Sequence, residues 1–366
     1  MALFIGLMSG TSLDGVDGVL ADVSGAGAKA LAHAHRPFDP TLRAELLALN
    51  GAGGNELHRA ALAANALVAV HAEVVHALLA GSGRAAGEIR AIGAHGQTLR
   101  HRPHEFDGTG YTIQLMNGAL LAEACAIDVI CDFRSRDVAA GGEGAPLVPA
   151  FHAACFAEPG RDVAVLNLGG IANLTLLPAS GAVRGFDCGP GNALLDLWCQ
   201  RHRGQPYDAG GAWAASGRVS TQLLETLLAE PFLDREPPKS TGRDLFNAEW
   251  LDALLPAELS AADVMATLAE LTARAACDAL RRHAPGTRTL QVCGGGAFNA
   301  DLMRRLQSGL PDVTVQSTAA AGVAPDQVEA LAFAWLASAF CARRPGNLPA
   351  VTGARAARVL GALYPA

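Results

Sequence analysis

Two stretches of this 366-residue chain share one layout, and that repetition constrains the fold more than any other feature. Near the start, the apolar run Leu3 to Leu7 enters Met8-Ser9-Gly10-Thr11-Ser12-Leu13-Asp14-Gly15, and Val16 to Val23 then reads as a returning strand. From Phe4 to Val163, 159 residues on, the layout recurs: Val163 to Leu168 enters Gly169-Gly170, and Ile171 to Leu177 runs back. Glycines at such tips let backbone N–H groups approach phosphate oxygens, and hydroxyls add donors. Ordinary glycine turns are the plain alternative in a chain with 41 glycines. A third segment weighs against that alternative. Val292-Cys293-Gly294-Gly295-Gly296-Ala297-Phe298-Asn299 takes a strand into three glycines and then a helix over Asp301 to Leu306, which admits close approach by a flat ligand.

The rest of the pattern is that of an α/β protein. Residues 56 to 80 carry apolar side chains at helical spacing until Gly81-Ser82-Gly83 stops them. Strands are expected at 89–94, 111–115 and 127–133, with a helix over 118–125 between the last two. A helix over 146–156 leads to the break Pro159-Gly160, and a long helix, Ala261 to His283, feeds the third glycine segment as a parallel strand requires. The boundary falls at 159/160, giving lobes 1–159 and 160–366, with the C-terminal tail free to pack back on the first lobe.

Composition and motifs exclude much. With 28 Lys plus Arg against 35 Asp plus Glu, a net charge of -7 and no basic block, nucleic acid is not an expected partner. Met1 to Gly10 lacks the basic start and long apolar run of a signal peptide. The longest nearly apolar run, 330–342, falls short of the roughly 18 residues of a spanning helix, so neither membrane nor export is expected. Eight irregularly spaced cysteines without Cys-x-x-Cys read as free thiols, mostly core-filling. Neither lysine, Lys29 or Lys239, closes a P-loop, because Ala28 and Pro238 stand where glycine is needed. Gly25-Ala26-Gly27 reads as a hairpin turn rather than a dinucleotide loop, and His95, His101 and His104 lack zinc spacing across Pro103.

The three glycine segments, in this order and spacing, resemble the phosphate-1, phosphate-2 and adenosine motifs of the actin, hexokinase and sugar-kinase superfamily. More narrowly, the chain resembles the anhydro-N-acetylmuramic acid kinase family over almost its whole length. The residues that carry this resemblance are Gly6 to Asp17, Gly93-Ala94-His95-Gly96-Gln97-Thr98, Asn167 to Asn173, Gly185 to Asn192 and Leu348 to Ala354. The resemblance implies two related actin-like (ribonuclease-H-like) domains flanking a nucleotide and substrate cleft. It also implies a cytoplasmic, homodimeric enzyme of cell-wall recycling. Such an enzyme uses ATP and Mg2+ to open the 1,6-anhydro ring of the sugar with water and to phosphorylate O6.

That chemistry requires a carboxylate to deprotonate the water attacking C1. Asp187 is the expected base; it follows the strand-like run 182–186 and precedes Cys188-Gly189-Pro190-Gly191, read as a tight turn, with a helix N-cap as the plain alternative. On the same resemblance ATP is held by Gly10, Thr11, Ser12, Leu13, Asp14, Gly15, Val16 and Asp17, by Gly169, Gly170 and Asn173, and by Gly294, Gly295, Gly296 and Asn299. The sugar is held by His95, Gln97, Arg134, Asn192 and Glu329. His95 and Gln97 end an apolar strand, where α/β proteins offer side chains to ligands, although a satisfied core histidine fits too. Arg134 and Arg136 suit the lactyl carboxylate or else pair with Asp132 and Asp137. Glu329 reaches the sugar or completes a capping box begun by Asp326. Superfamily sugar kinases place Asp where this chain has Met8 and Asn167, which leaves Asp14 and Asp17 as metal candidates, through water. Two rivals are another sugar kinase of this fold and a nucleotide-driven actin-like interaction protein.

Overall fold

A computed structural model describes residues 1–10, 12–25, 27–242, 245–256 and 258–366. They form two compact units, 1–155 with 327–366, and 156–326.

In the first unit, strands β1 (Leu3–Met8), β2 (Gly15–Asp22) and β3 (Lys29–Pro37) form an antiparallel meander. β4 (Ala91–Ala94) joins β1 in parallel. A separate hairpin, β5 (Gln97–Pro103) with β6 (Gly110–Leu115), follows. β7 (Val129–Cys131) then lies parallel to β4. The helix Glu56–Ser82 buries Leu67, Val68, Val74, Val75 and Leu78, and Gly83 ends it at φ 67°, a left-handed conformation that glycine adopts without Cβ strain. This helix is long and apolar enough to cross a membrane by length and composition, a feature the sequence reading assigned to no segment; half of its most apolar stretch is buried in this unit.

The second unit repeats the plan. β8 (Val163–Leu168), β9 (Ile171–Leu177) and β10 (Arg184–Pro190) form a meander, and β11 (Thr289–Cys293) and β12 (Thr314–Ser317) follow in parallel. The strand order is β3-β2-β1-β4-β7 within the first sheet and β10-β9-β8-β11-β12 in the second. Each meander is followed by a long helix before its fourth strand: Glu56–Ser82 in one unit, Ala261–His283 in the other. The internal repeat read at the two tips thus extends to whole α/β sheets. Ser260 caps Ala261–His283, accepting from Asp263 N at 3.1 Å, and Arg281, Arg282 and His283 place cations at its carbonyl end. Short helices between 193 and 254, for most of which the sequence carried no expectation, pack Trp198, Trp213 and Phe232 into the same core, and the turn before the last of them adds Phe246.

The units differ from a single cut at 159/160. The helix Val328–Cys341 belongs to the first unit, where it packs on β1 and β4. Glycines make that approach possible: a Cβ on Gly6 would lie 1.9 Å from the Ala330 carbonyl oxygen, and one on Gly93 2.1 Å from that of Phe333. A last strand, β13 (Ala362–Tyr364), then pairs antiparallel with β7.

Candidate active site

The first tip is held from behind by the end of β4. Ser9 Oγ donates to Gly96 O at 3.0 Å, and Gln97 Nε2 donates to Gly10 O at 3.0 Å. His95 is buried against the Phe333 ring and donates through Nδ1 to Ser9 O at 3.2 Å. Its Nε2 accepts from Arg134, at 3.1 Å from Nε and 2.9 Å from Nη2. Both ring nitrogens are therefore engaged, and His95 ties Arg134 to the tip. Burial, with the Arg134 charge adding to it, lowers its pKa to about 3, so the ring stays neutral and Nε2 remains an acceptor. Gln97 Oε1 is buried with no hydrogen-bond partner, an acceptor left open beside the tip.

At the tip itself, Ser12 Oγ donates to Asp14 Oδ1 at 2.8 Å, and Leu13 takes a left-handed φ of 55°. Leu13 and Val16 are buried, so these two offer a ligand backbone rather than side chain, while Gly10 and Gly15 flank them in the chain. Thr11 lies outside the described residues. Asp17 Oδ1 is bonded to His33 Nε2 at 3.2 Å and His35 Nδ1 at 3.1 Å on β3. Magnesium favours one or two carboxylates and keeps several waters. Exposed Asp14 fits that demand; Asp17 has an oxygen already committed to two imidazoles.

Arg134 does not pair with Asp132 or Asp137, as one sequence alternative held. Its Nη1 donates to Gly144 O at 2.9 Å, and burial lowers its pKa to about 10 against the favourable charges of Glu329 and Asp137. Arg136, two residues on, is exposed. Glu329 shares Arg134's surroundings. Burial raises its pKa, Arg134 counters this, and Asp17 and Asp14 add to the rise. The capping-box alternative fails for Glu329: the helix starts at Val328, its N-cap is Gln327, and no side chain caps it.

Asp137, which the sequence reading gave no functional place, is fully buried and organises this corner. It accepts from Gly144 N at 2.8 Å, Asn347 Nδ2 at 2.5 Å and Thr352 Oγ1 at 2.8 Å. The 348–354 motif therefore fastens the loop that receives Arg134.

In the second unit the register sets three polar residues side by side. Asn167 on β8 pairs with Asn173 on β9, which pairs with Asp187 on β10. The expected turn after Asp187 is instead a continuation of β10 to Pro190 with a bulge between Asp187 and Gly189, a device that re-aims a side chain. Asp187 Oδ2 accepts from Ser240 Oγ and from Thr241 N, each at 2.9 Å. Burial raises its pKa; those two donors and the charge of Lys239 pull it back in part. The N-cap alternative fails, because Asn192 precedes the helix Ala193–Arg203.

The second tip meets the glycine segment. Asn192 and Gly191 donate through their N–H groups to Gly169 O at 2.8 Å and Gly170 O at 3.0 Å, and Asn192 Nδ2 donates to Leu168 O at 2.8 Å. A Cβ on Gly294 would lie 2.4 Å from Asn167 Oδ1, and one on Gly296 2.4 Å from Leu168 Cβ. Gly295 completes the run as a single helical turn. Asn167 Oδ1 is buried without a partner, which marks an open acceptor at this tip. Asn299 caps the helix Ala300–Gly309 through Leu302 N at 3.0 Å, so its side-chain oxygen is already used.

Comparison with known proteins adds to this geometry. Residues 2–366 match the family model described as anhydro-N-acetylmuramic acid kinase. The anhydro-N-acetylmuramic acid kinase of Variovorax paradoxus (strain S110) is 59% identical, covering 100% of this chain and 99% of its own. That of Bordetella petrii is 60% identical, with 100% and 96% covered. Among solved structures, component A of the Acidaminococcus fermentans (R)-2-hydroxyglutaryl-CoA dehydratase aligns at 14% identity and a TM-score of 0.49, covering 93% of this chain and 100% of that one.

Proposed function

Because this chain belongs to the anhydro-N-acetylmuramic acid kinase family, we propose that it converts 1,6-anhydro-N-acetylmuramic acid, ATP and water to N-acetylmuramic acid 6-phosphate and ADP. Water adds to C1, the C1–O6 bond breaks, and O6 takes the γ-phosphoryl group. Asp187 removes the proton from that water. The observation that carries this role is its bulged, partly buried carboxylate, held through one oxygen by Ser240 and Thr241 in register with Asn167 and Asn173. A raised pKa makes it a stronger base than a solvated aspartate while leaving it ionised above that value.

Arg134 suits the lactyl carboxylate, and Glu329 suits the sugar's polar groups; His95 and Gln97 serve by holding Arg134 and the first tip. Gly10 to Asp17, Gly169, Gly170, Asn173 and the 294–296 glycines supply backbone donors and close approach for ATP, with Asn192 bracing the second tip. Magnesium, held through water by Asp14 with Asp17 behind it, would neutralise charge on the phosphates. A cytoplasmic homodimer accompanies this reading through the resemblance alone.

ADP release with ATP, Mg2+ and the anhydro sugar tests it. We expect a product heavier by one phosphoryl group (HPO3) and one water, and a rate lowered about a thousandfold by Asp187→Asn. Full activity in that variant, or ADP release indifferent to the sugar, would refute the reading.

A further inference from the structure

The first unit carries a cavity whose arginines take no part in the chemistry above. Arg136, Arg343 and Arg358 line a cavity of about 470 Å³ together with Phe340, Pro345 and Val359. No carboxylate is among its lining residues, and none of the three arginines forms an ion pair among the described residues. An arginine-lined cavity in the other unit behaves differently. There Arg305 is paired with Glu270 and Asp301, Arg304 with Asp301, and Arg274 and Arg281 with Asp278. Three uncompensated guanidinium groups in one hollow repel one another unless an anion sits among them.

Backbone conformation adds a second, independent observation. Arg343 follows the helix Val328–Cys341 at φ 55°, a left-handed position where glycine is the ordinary occupant. Arg343 places a bulky cation where glycine would carry no strain. Arg343 also lies just past a helix C-terminus, where its charge offsets exposed carbonyls, but this leaves its N–H fork available.

We propose that this cavity binds a small phosphate monoester. Arginine forks match phosphate oxygens, three positive charges suit a dianion, and the Phe340, Pro345 and Val359 side accommodates an organic part that bare phosphate lacks. The site leads toward the sugar-handling corner through a chain of hydrogen bonds that starts at its wall. Arg358 N donates to Asn347 Oδ1 at 2.6 Å, Asn347 Nδ2 to Asp137 Oδ1 at 2.5 Å, Gly144 N to Asp137 Oδ2 at 2.8 Å, and Arg134 Nη1 to Gly144 O at 2.9 Å. Occupancy therefore alters the KM for sugar more than kcat; this effect alone rests on the role proposed for Arg134.

Calorimetry on the full chain, without sugar or ATP and at matched ionic strength, tests the site apart from that role. Glucose 6-phosphate, inorganic phosphate and glucose are the probes. Glucose 6-phosphate binds more tightly than phosphate, and glucose does not bind. The double variant Arg343→Gln with Arg358→Gln weakens glucose 6-phosphate binding about tenfold or more while keeping activity without added phosphate. Arg343→Gly weakens binding and raises Tm, because it removes the cation and the backbone strain together, so a misfolded variant cannot mimic the result. Equal binding by wild type and variants, no binding by wild type, or glucose 6-phosphate no tighter than phosphate overturns the proposal.

Discussion

Asp187 illustrates how little of a carboxylate's chemistry lies in its own residue type. Its raised pKa comes first from burial, and the donors from Thr241 and Ser240 act against that rise. If it is the base, the acid limb of kcat/KM falls above the ordinary aspartate value of about 3.9, and activity is lost as pH drops through it. Ser240→Ala removes one donor to the ionised form, so the limb moves to higher pH, an outcome that pH–rate profiles of both enzymes will check. An unmoved limb would mean that another group controls it. The motif around Asp187 was legible in the sequence, but its donors Ser240 and Thr241 were not: they lie more than fifty positions away and arrive only through the fold. His95 shows the same divide. Its place after an apolar strand was visible, whereas engagement of both its nitrogens depends on Ser9 and Arg134, distant in sequence.

Among elements, the helix Val328–Cys341 is the instructive case. Its apolar run and its acidic first turn were legible, yet local rules led to a capping box that is not there. Its true partners are the glycines of β1 and β4, whose missing Cβ atoms admit its backbone. Gly93→Ala places a methyl carbon 2.1 Å from the Phe333 carbonyl oxygen. We expect destabilisation of about 3 kcal/mol, the upper range for overpacking a close-packed core, measured as a fall in the urea midpoint. A midpoint equal to that of the wild type would show that the helix moves away freely. Arg134 and Arg136 stand two residues apart, and only tertiary placement separates them: the first reaches inward to His95 and the second is exposed.

For the whole molecule, the buried histidines set the response to acid. Burial holds His71 at about 4, and His95 and His152 at about 3, against about 6.5 in an unfolded chain. Below pH ~6.5 the unfolded chain takes up protons that the folded one refuses, so stability present above that value is lost as pH falls toward ~4. Each histidine contributes about 1.4 kcal/mol per pH unit in that window. His71→Gln should flatten the dependence of the urea midpoint between pH 7 and 5, and parallel slopes for wild type and variant would remove His71 from the account. The sequence alone determined the repeated strand–tip–strand device, the long helix Ala261–His283 and the motifs that identify the family, because short-range periodicity and glycine placement are local properties. Tertiary structure alone decided that 327–366 joins the first unit, that Asp187 stands in register with Asn167 and Asn173, and that Asp137 anchors the corner around Arg134. Those outcomes depend on strand register, close backbone approach and burial, which arise between residues far apart in the chain.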